Sequence, residues 1–175
     1  MTVGIVDQVA IREASPGDAG RLSLVASATF LETFAGMIDG DALVKHCETQ
    51  HAPDYLRAYL QDDARGWLAE LDAAPVGYAL LTQPELEAAR QGDIELKKIY
   101  VLSRFHGSGV AQLLLDAAIA GSQGHERLLL GVKDDNARAI AFYAKQGFRQ
   151  IGTRRFDVGG KHYDDVVLAR DLVTA

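Results

Sequence analysis

The sequence predicts an α/β fold built on a mixed sheet, and three observations carry that expectation. In the second half of the chain, short apolar runs and amphipathic stretches alternate in the order strand–helix–strand–helix–strand, as layered α/β domains do. The first half reads differently: a strand, then helical stretches, then two strands joined by a tight turn, which makes an antiparallel start. The unit over 94–132 has the length of a strand–helix–strand crossover, which joins parallel strands in a right-handed sense. At 175 residues the chain fits one domain, and such a domain buries about 70% of the surface of its unfolded chain.

The elements follow in order. Residues 9–14 (Val-Ala-Ile-Arg-Glu-Ala) read as a first strand. Ser15-Pro16 opens a helix, with serine as N-cap and proline at the first helical position. Leu22, Val25, Ala26, Phe30 and Phe34 keep helical spacing behind it. Helical character returns at 42–47 and 55–60. Residues 67–71 and 76–81 form a hairpin across Asp72-Ala-Ala-Pro75.

Residues 94–102 are the next strand, and its alternation slips. Ile94 and Leu96 share one parity, Ile99 and Val101 the other, with the break at Lys97-Lys98. A β-bulge produces such a slip; so does a strand that is apolar on both faces. Val110, Leu113, Leu114, Ala117 and Ala118 then give a helical stripe. Residues 127–132 read as a buried strand, and 136–146 as a helix ended by Gly147. Strands over 148–153 and 163–168, turned at Gly159-Gly160, close the chain.

Composition narrows the function classes. Hydrophobic residues are 48% and charged residues 24%, which is ordinary globular composition. The single cysteine, Cys47, rules out an intrachain disulfide and a multi-thiolate metal site, and it suits a reducing compartment. No basic stretch leading into an apolar core opens the chain, and no apolar run approaches the roughly 20 residues of a membrane span. A cytoplasmic location is expected. The net charge of −6 disfavours nucleic acid as a partner while leaving room for a local basic pocket.

The chemistry is carried by Arg104-Phe-His-Gly107-Ser-Gly109-Val110, which lies between a strand and an amphipathic helix. A glycine-rich turn there leaves backbone N–H groups free at the positive end of the helix dipole, a setting for phosphate or pyrophosphate. No Gly-Lys-Ser/Thr follows, so it is not a Walker loop. The third glycine of a dinucleotide fold is missing, and the unit comes late, after an antiparallel start.

With Glu95-Leu-Lys-Lys-Ile-Tyr-Val-Leu102 before that turn, the strand at 127–132 after it, and Asn136-x-Arg-x-Ile-x-Phe-Tyr143-x-x-x-Gly147-Phe148 beyond, the chain resembles the GNAT superfamily of acetyl-coenzyme A-dependent N-acetyltransferases. The resemblance covers about residues 8–170 and is most specific over 93–150. It implies a strongly twisted mixed sheet of six or seven strands with helices on both faces, and acetyl-coenzyme A in a wedge between two central parallel strands. It also implies a bulge where the parity slips. By the same resemblance, backbone groups of Ile99, Tyr100 and Val101 would bond the pantetheine arm. The turn amides of Phe105, His106, Gly107, Ser108, Gly109 and Val110, with Arg104, would hold the pyrophosphate, and Asn136 would touch the coenzyme. Tyr143 would protonate the leaving thiolate, and Glu95 would be the general base. Members that carry a glutamate on the next strand, five residues before the asparagine, differ here, because this chain has Gly131.

Each residue also has a plainer reading. Asn136 suits a helix N-cap. Tyr143 suits a core, although its seven-residue spacing from Asn136 puts both on one line of a helix. Glu95 suits a strand surface or a pairing with Lys97. The side chain of His106 should be exposed. His46, Cys47 and His51 do not make a metal set, and no metal is expected. Asp134-Asp135 and Asp164-Asp165 read as solvated charges with some pull on a cationic acceptor. Phe30 and Phe34 suit a core or the wall of an acceptor cleft.

The expected reaction is direct acetyl transfer to a primary amine in a ternary complex. The acceptor is a small molecule or a peptide amine, with a small cationic amine favoured by the acidic balance. A homodimer stays open. The alternative from another class is a non-catalytic acyl-coenzyme A-binding or regulatory module on the same fold.

Overall fold

The computed structural model describes residues 4–158 and 161–172. Its elements are β1 (Ala10–Ala14), α1 (Ala19–Phe34), α2 (Gly40–Gln50), α3 (Pro53–Gln61), β2 (Arg65–Leu71), β3 (Ala74–Thr82), β4 (Asp93–Val101), α4 (Val110–Gly121), β5 (Arg127–Lys133), α5 (Ala137–Lys145), β6 (Arg149–Val158) and β7 (Lys161–Asp171). The strands form one seven-stranded sheet in the order β1-β2-β3-β4-β5-β7-β6. Helices cover both faces. Val110, Leu114, Leu115 and Ala118 of α4 pack with Ile94, Leu96 and Val101 of β4 on one side. On the other, Leu22, Val25 and Ala26 of α1 and Leu56 of α3 pack on Leu68, Tyr78 and Leu80. Among the described residues, no helix is long and apolar enough to cross a membrane.

Local differences from the sequence reading have physical causes. Pro16 starts a short 3-10 turn (Pro16–Asp18), and the α-helix begins after it, at Ala19. The β2–β3 hairpin turns on Asp72 and Ala73 alone, both at positive φ (49° and 63°), so Ala74 and Pro75 belong to the strand. The last two strands run longer than their apolar alternation suggests. Arg155, Asp157, Lys161 and His162 are exposed, so the outer part of this ribbon carries little apolar signal. The Gly159-Gly160 turn lies outside the described residues.

The parity slip is a bulge. Leu80 pairs with Lys98 and Leu81 with Leu96, so Lys97 stands opposite no residue of β3. Ile94, Leu96, Ile99 and Val101 therefore all face α4, and Lys97 and Lys98 both reach the opposite face.

The sheet also divides. β4 and β5 pair in parallel over three residues only: Asp93 with Arg127, Ile94 with Leu128 and Glu95 with Leu129. Beyond them β4 stays with β3 as far as Val101, and β5 stays with β7 as far as Lys133. The two central strands thus part into a wedge. Its closed end holds a buried ion pair, with Arg127 donating to Asp93 from Nε at 2.9 Å and from a terminal nitrogen at 2.7 Å. Burial alone would raise the Asp93 carboxyl, yet the Arg127 guanidinium and the Arg90 amide hold it below the usual carboxylate range.

Candidate active site

The glycine turn lies at the open end of the wedge, between a 3-10 turn (Ser103–Phe105) and α4. Gly107 and Gly109 both have positive φ, 77° and 99°, a conformation that glycine adopts without steric cost. Within the protein their φ, rather than crowding at the Cβ position, is what favours glycine: a Cβ on Gly107 would meet nothing within 4 Å, and one on Gly109 would stand 3.4 Å from Val6. Glu32, at the end of α1, fixes the start of the turn by accepting from the Ser103 amide at 2.9 Å and the Ser103 hydroxyl at 3.0 Å.

The turn does not offer all the amides the resemblance implied. Phe105 N–H donates to Leu102, His106 N–H to Ser103 and Ser108 N–H to Phe105, so these three close the 3-10 turn and point inward. The amides of Gly107 and Gly109 remain open, and that of Val110 makes only a long 3.4 Å contact with Ser108 Oγ. In the first turn of α4 the amides of Ala111 and Gln112 lie ahead of the first helical bond, Leu113 N–H to Gly109. They are anion donors that a reading confined to the glycine string misses. Arg104 is exposed and stacks over the Phe105 ring at 5.0 Å.

On β4 the backbone divides in the same way. Leu102 N–H donates to Val76 O, so by the alternation of antiparallel pairs Tyr100 bonds Tyr78, and the polar groups of Ile99 and Val101 turn to the gap. Tyr100 is therefore removed from the expected pantetheine contacts. The Val101 carbonyl accepts from His106 Nε2 at 2.9 Å, while His106 Nδ1 accepts from Arg138 at 3.1 Å. The His106 side chain is exposed, as expected, yet both ring nitrogens are engaged, and the imidazole links the turn to α5. Arg138 sits inside the Asn136–Gly147 string but was given no role in the sequence reading.

Asn136 caps α5, with Oδ1 accepting from Ala139 N–H at 3.2 Å; its amide nitrogen makes no bond among the described residues. Tyr143 is 7% exposed and packs edge-on against Phe142 and Phe148. Burial, with Tyr100 nearby, raises its phenol far above the ordinary range, so the proton stays on. Its hydroxyl has no hydrogen-bond partner among the described residues.

Glu95 is the last paired residue before the strands part. At 2% exposure it is not a surface glutamate, and it does not pair with Lys97, which bonds Glu85 at 2.7 Å. One carboxylate oxygen accepts from the Glu85 amide at 2.8 Å. Burial raises its pKa, which that amide and the charges of Arg154 and Lys97 partly offset.

A cavity of about 490 Å³ lies on the same face, between α2, α3 and the strands β3, β4 and β6. It brings together residues that sequence reasoning left apart: His46, His51, Lys97, Lys98 and Arg154. Phe30 and Phe34 are buried with Ile38, Leu43 and Val158, which is the core reading, and Phe30 stacks on His46 at 4.4 Å behind the cavity. Asp165 departs from expectation. It is 5% exposed and paired with Arg154 at 2.6 Å, so it is not a solvated charge with pull on a cationic acceptor. Gly131 makes room for that pair, since a Cβ there would stand 2.7 Å from the Arg154 guanidinium.

Comparison with known proteins agrees with this architecture. The profile of the "Acetyltransferase (GNAT) family" matches residues 33–148. An uncharacterised N-acetyltransferase of Mycobacterium tuberculosis (strain H37Rv) is 36% identical over 159 residues, 89% of this chain and 99% of that protein. The peptidyl-lysine N-acetyltransferase YjaB of Escherichia coli is 30% identical over 118 residues, 66% of this chain and 70% of its own length. Among solved structures, the PaiA N-acetyltransferase of Thermoplasma acidophilum in complex with coenzyme A superposes with a TM-score of 0.74 at 20% identity, covering 93% of this chain and 98% of that one. The ribosomal-protein-alanine N-acetyltransferase of Brucella melitensis gives 0.71 at 27%, covering 93% and 99%.

Proposed function

The chain belongs to the GNAT family of acetyltransferases, and from that premise we propose that it transfers the acetyl group of acetyl-coenzyme A directly to a primary amine in a ternary complex. The observation that carries this reading is the wedge: two adjacent parallel strands that part after three residue pairs, with open amides at its mouth and Glu95 at its apex. The fit to the coenzyme rests on three features of this chain. The edge groups of Ile99 and Val101 suit the amides of a pantetheine arm. The open amides of Gly107, Gly109, Ala111 and Gln112 suit a pyrophosphate at a helix N-terminus. Arg104 and Arg138 are exposed cations beside that turn. Acetyl-coenzyme A would supply an acetyl group activated as a thioester.

The residues then divide the work. Glu95 takes the proton that an ammonium must lose before its nitrogen can attack, directly or through one water. Its raised pKa brings it closer to working pH, where a base is most effective. Tyr143 keeps its proton until sulfur leaves and then donates it. Its raised pKa makes donation harder in the empty site, but the same burial raises the pKa of the departing thiol. His106 must release the Val101 carbonyl before that group can bond the pantetheine arm.

The test is thiol release from acetyl-coenzyme A against a panel of amines, run on wild type and Tyr143→Phe. The variant keeps the ring and its packing. It should lose roughly ten- to a thousandfold in kcat, within the range of acid catalysis, with coenzyme affinity within severalfold because the hydroxyl acts in the transition state. Wild-type turnover in Tyr143→Phe would make the phenol structural. Coenzyme binding without turnover of any amine would favour the non-catalytic module.

A further inference from the structure

We propose that the acceptor amine carries a carboxylate, seated in the cavity under α2 and α3 against Lys98 and the imidazoles of His46 and His51. The proposal rests on the acetyltransferase reading and names the acceptor class for that site.

The first observation is a set of polar atoms without partners. His51 is 3% exposed, lines the cavity, and neither of its ring nitrogens has a hydrogen-bond partner among the described residues. Among the described residues, His46 Nε2 and Arg154 Nε, on the same lining, are buried and unpartnered too. Buried donors and acceptors left unsatisfied are costly, and a bound polar group is what would satisfy them here. Aromatic packing fixes the rings: His46 stacks on Phe30, and His51 stands nearly perpendicular to both.

The second observation is an unbalanced charge. Lys97 is paired with Glu85, and Arg154 with Asp165. Lys98 is half-buried and has no ion-pair or hydrogen-bond partner among the described residues. At the rim, Lys45 and Asp157 are exposed and opposite in sign. Lys98 is therefore the inner cation of the lining without an ion-pair partner among the described residues; Asp165 and Glu95 act on it without contact, and a bound carboxylate would give it a direct partner. Lys98 acts on both histidines. Burial and then Lys98 push His46 down to about 4; burial, His46 and Lys98 push His51 down to about 3. Both are neutral at pH 7, and each has one N–H to give. Lys98 itself is lowered to about 8 by burial, Lys97 and Arg154, against the pull of Asp165 and Glu95, so it remains mostly charged at neutral pH.

A second ammonium in this cavity would meet Lys97, Lys98 and Arg154, while the carboxylates of the lining, among the described residues, are Glu85, already paired with Lys97, and Asp157 at the rim. The acidic net charge had favoured a small cationic amine; the cavity lining favours an amino acid-like acceptor instead. Glu95 completes the arrangement, because its charged neighbours Arg154, Lys97 and Glu85 also line the cavity.

The experiment has two arms. In the first, thiol release is measured for alanine, leucine and phenylalanine, each beside its own amide, and for spermidine. The acids should show at least a tenfold lower KM than their amides, and Lys98→Met should abolish that preference. In the second, calorimetry measures N-acetylalanine, N-acetylleucine and their amides binding to the protein with coenzyme A present. The acids should bind better than the amides, and their affinity should fall roughly ten- to a hundredfold in Lys98→Met, the worth of one charged hydrogen bond. The variant removes an unpaired half-buried charge, so its Tm should hold or rise. Amides or spermidine turned over or bound as well as the acids, or an unchanged ratio in Lys98→Met, would overturn the proposal. Preferential binding of the acids without thiol release from any amine would support the carboxylate seat while overturning the acetyltransferase reading.

Discussion

Asp93→Asn tests the closed end of the wedge. The Asp93 side chain is fully buried and that of Arg127 is 8% exposed, and the two residues face each other as the first parallel pair of β4 and β5. Asparagine keeps the shape but turns one acceptor into a donor, leaving the guanidinium buried without its counter-charge. Removing one partner of a buried pair costs about 3–5 kcal/mol. In a chain of this length each kcal/mol moves Tm by roughly 2–4 °C, so scanning calorimetry should show a fall of about 6–20 °C. Asp93→Asn combined with Arg127→Met should recover most of it, because the stranded charge is gone. The pH dependence has a defined sign. The folded carboxyl lies below its ordinary value, so the stabilisation is complete above the unfolded pKa of about 4 and is lost as pH falls through the folded pKa. Asp93→Asn should lack that acid slope. A Tm within 2 °C of wild type, or a double variant less stable than the single, would refute the idea that this pair clamps the strands where they begin to part.

Two further outcomes follow from the site. Glu95→Gln should lower kcat by roughly 10²–10⁴ with coenzyme affinity nearly unchanged, and the acidic limb of the pH–rate profile, which in wild type should lie above the ordinary glutamate range, should disappear; an unchanged profile would assign the proton to another group. His106→Ala should tighten coenzyme binding in calorimetry by severalfold, up to about tenfold, because it frees the Val101 carbonyl from one hydrogen bond; weaker binding would mean that the imidazole holds the coenzyme rather than competing with it.

Much of this was legible in the sequence where local rules act. The parity slip at Lys97-Lys98 left a bulge and a strand apolar on both faces open, and the family resemblance pointed to the bulge that the pairing shows. The glycine string marked the positive-φ turn before α4. What local rules cannot say is which of two competing partners a group takes. The amides of Phe105, His106 and Ser108 look as available as those of Gly107 and Gly109 until the 3-10 turn draws them inward. Asp165 looks like its neighbour Asp164 until strand alternation sends one to Arg154 and leaves the other outside. The cavity was the least legible part. His46 and His51, Lys98 and Arg154 come from three separate stretches of chain, and each taken alone has a bland reading.

The unpaired Lys97 also bears on how this strand can change over time. If the chain lost that one residue, Leu96 and Lys98 would become ordinary strand neighbours, and alternation would run unbroken from Ile94 to Val101 with every other side chain on the face it now has. What would go is one of the two side chains that stand together on the cavity face, and the local bend that an inserted residue gives its strand. A loss from the regularly paired part would be different, because it would turn the residues beyond it to the opposite face. Among relatives of this chain, a one-residue difference in length between Glu95 and the glycine turn should therefore fall at 97–98 and leave the apolar face intact.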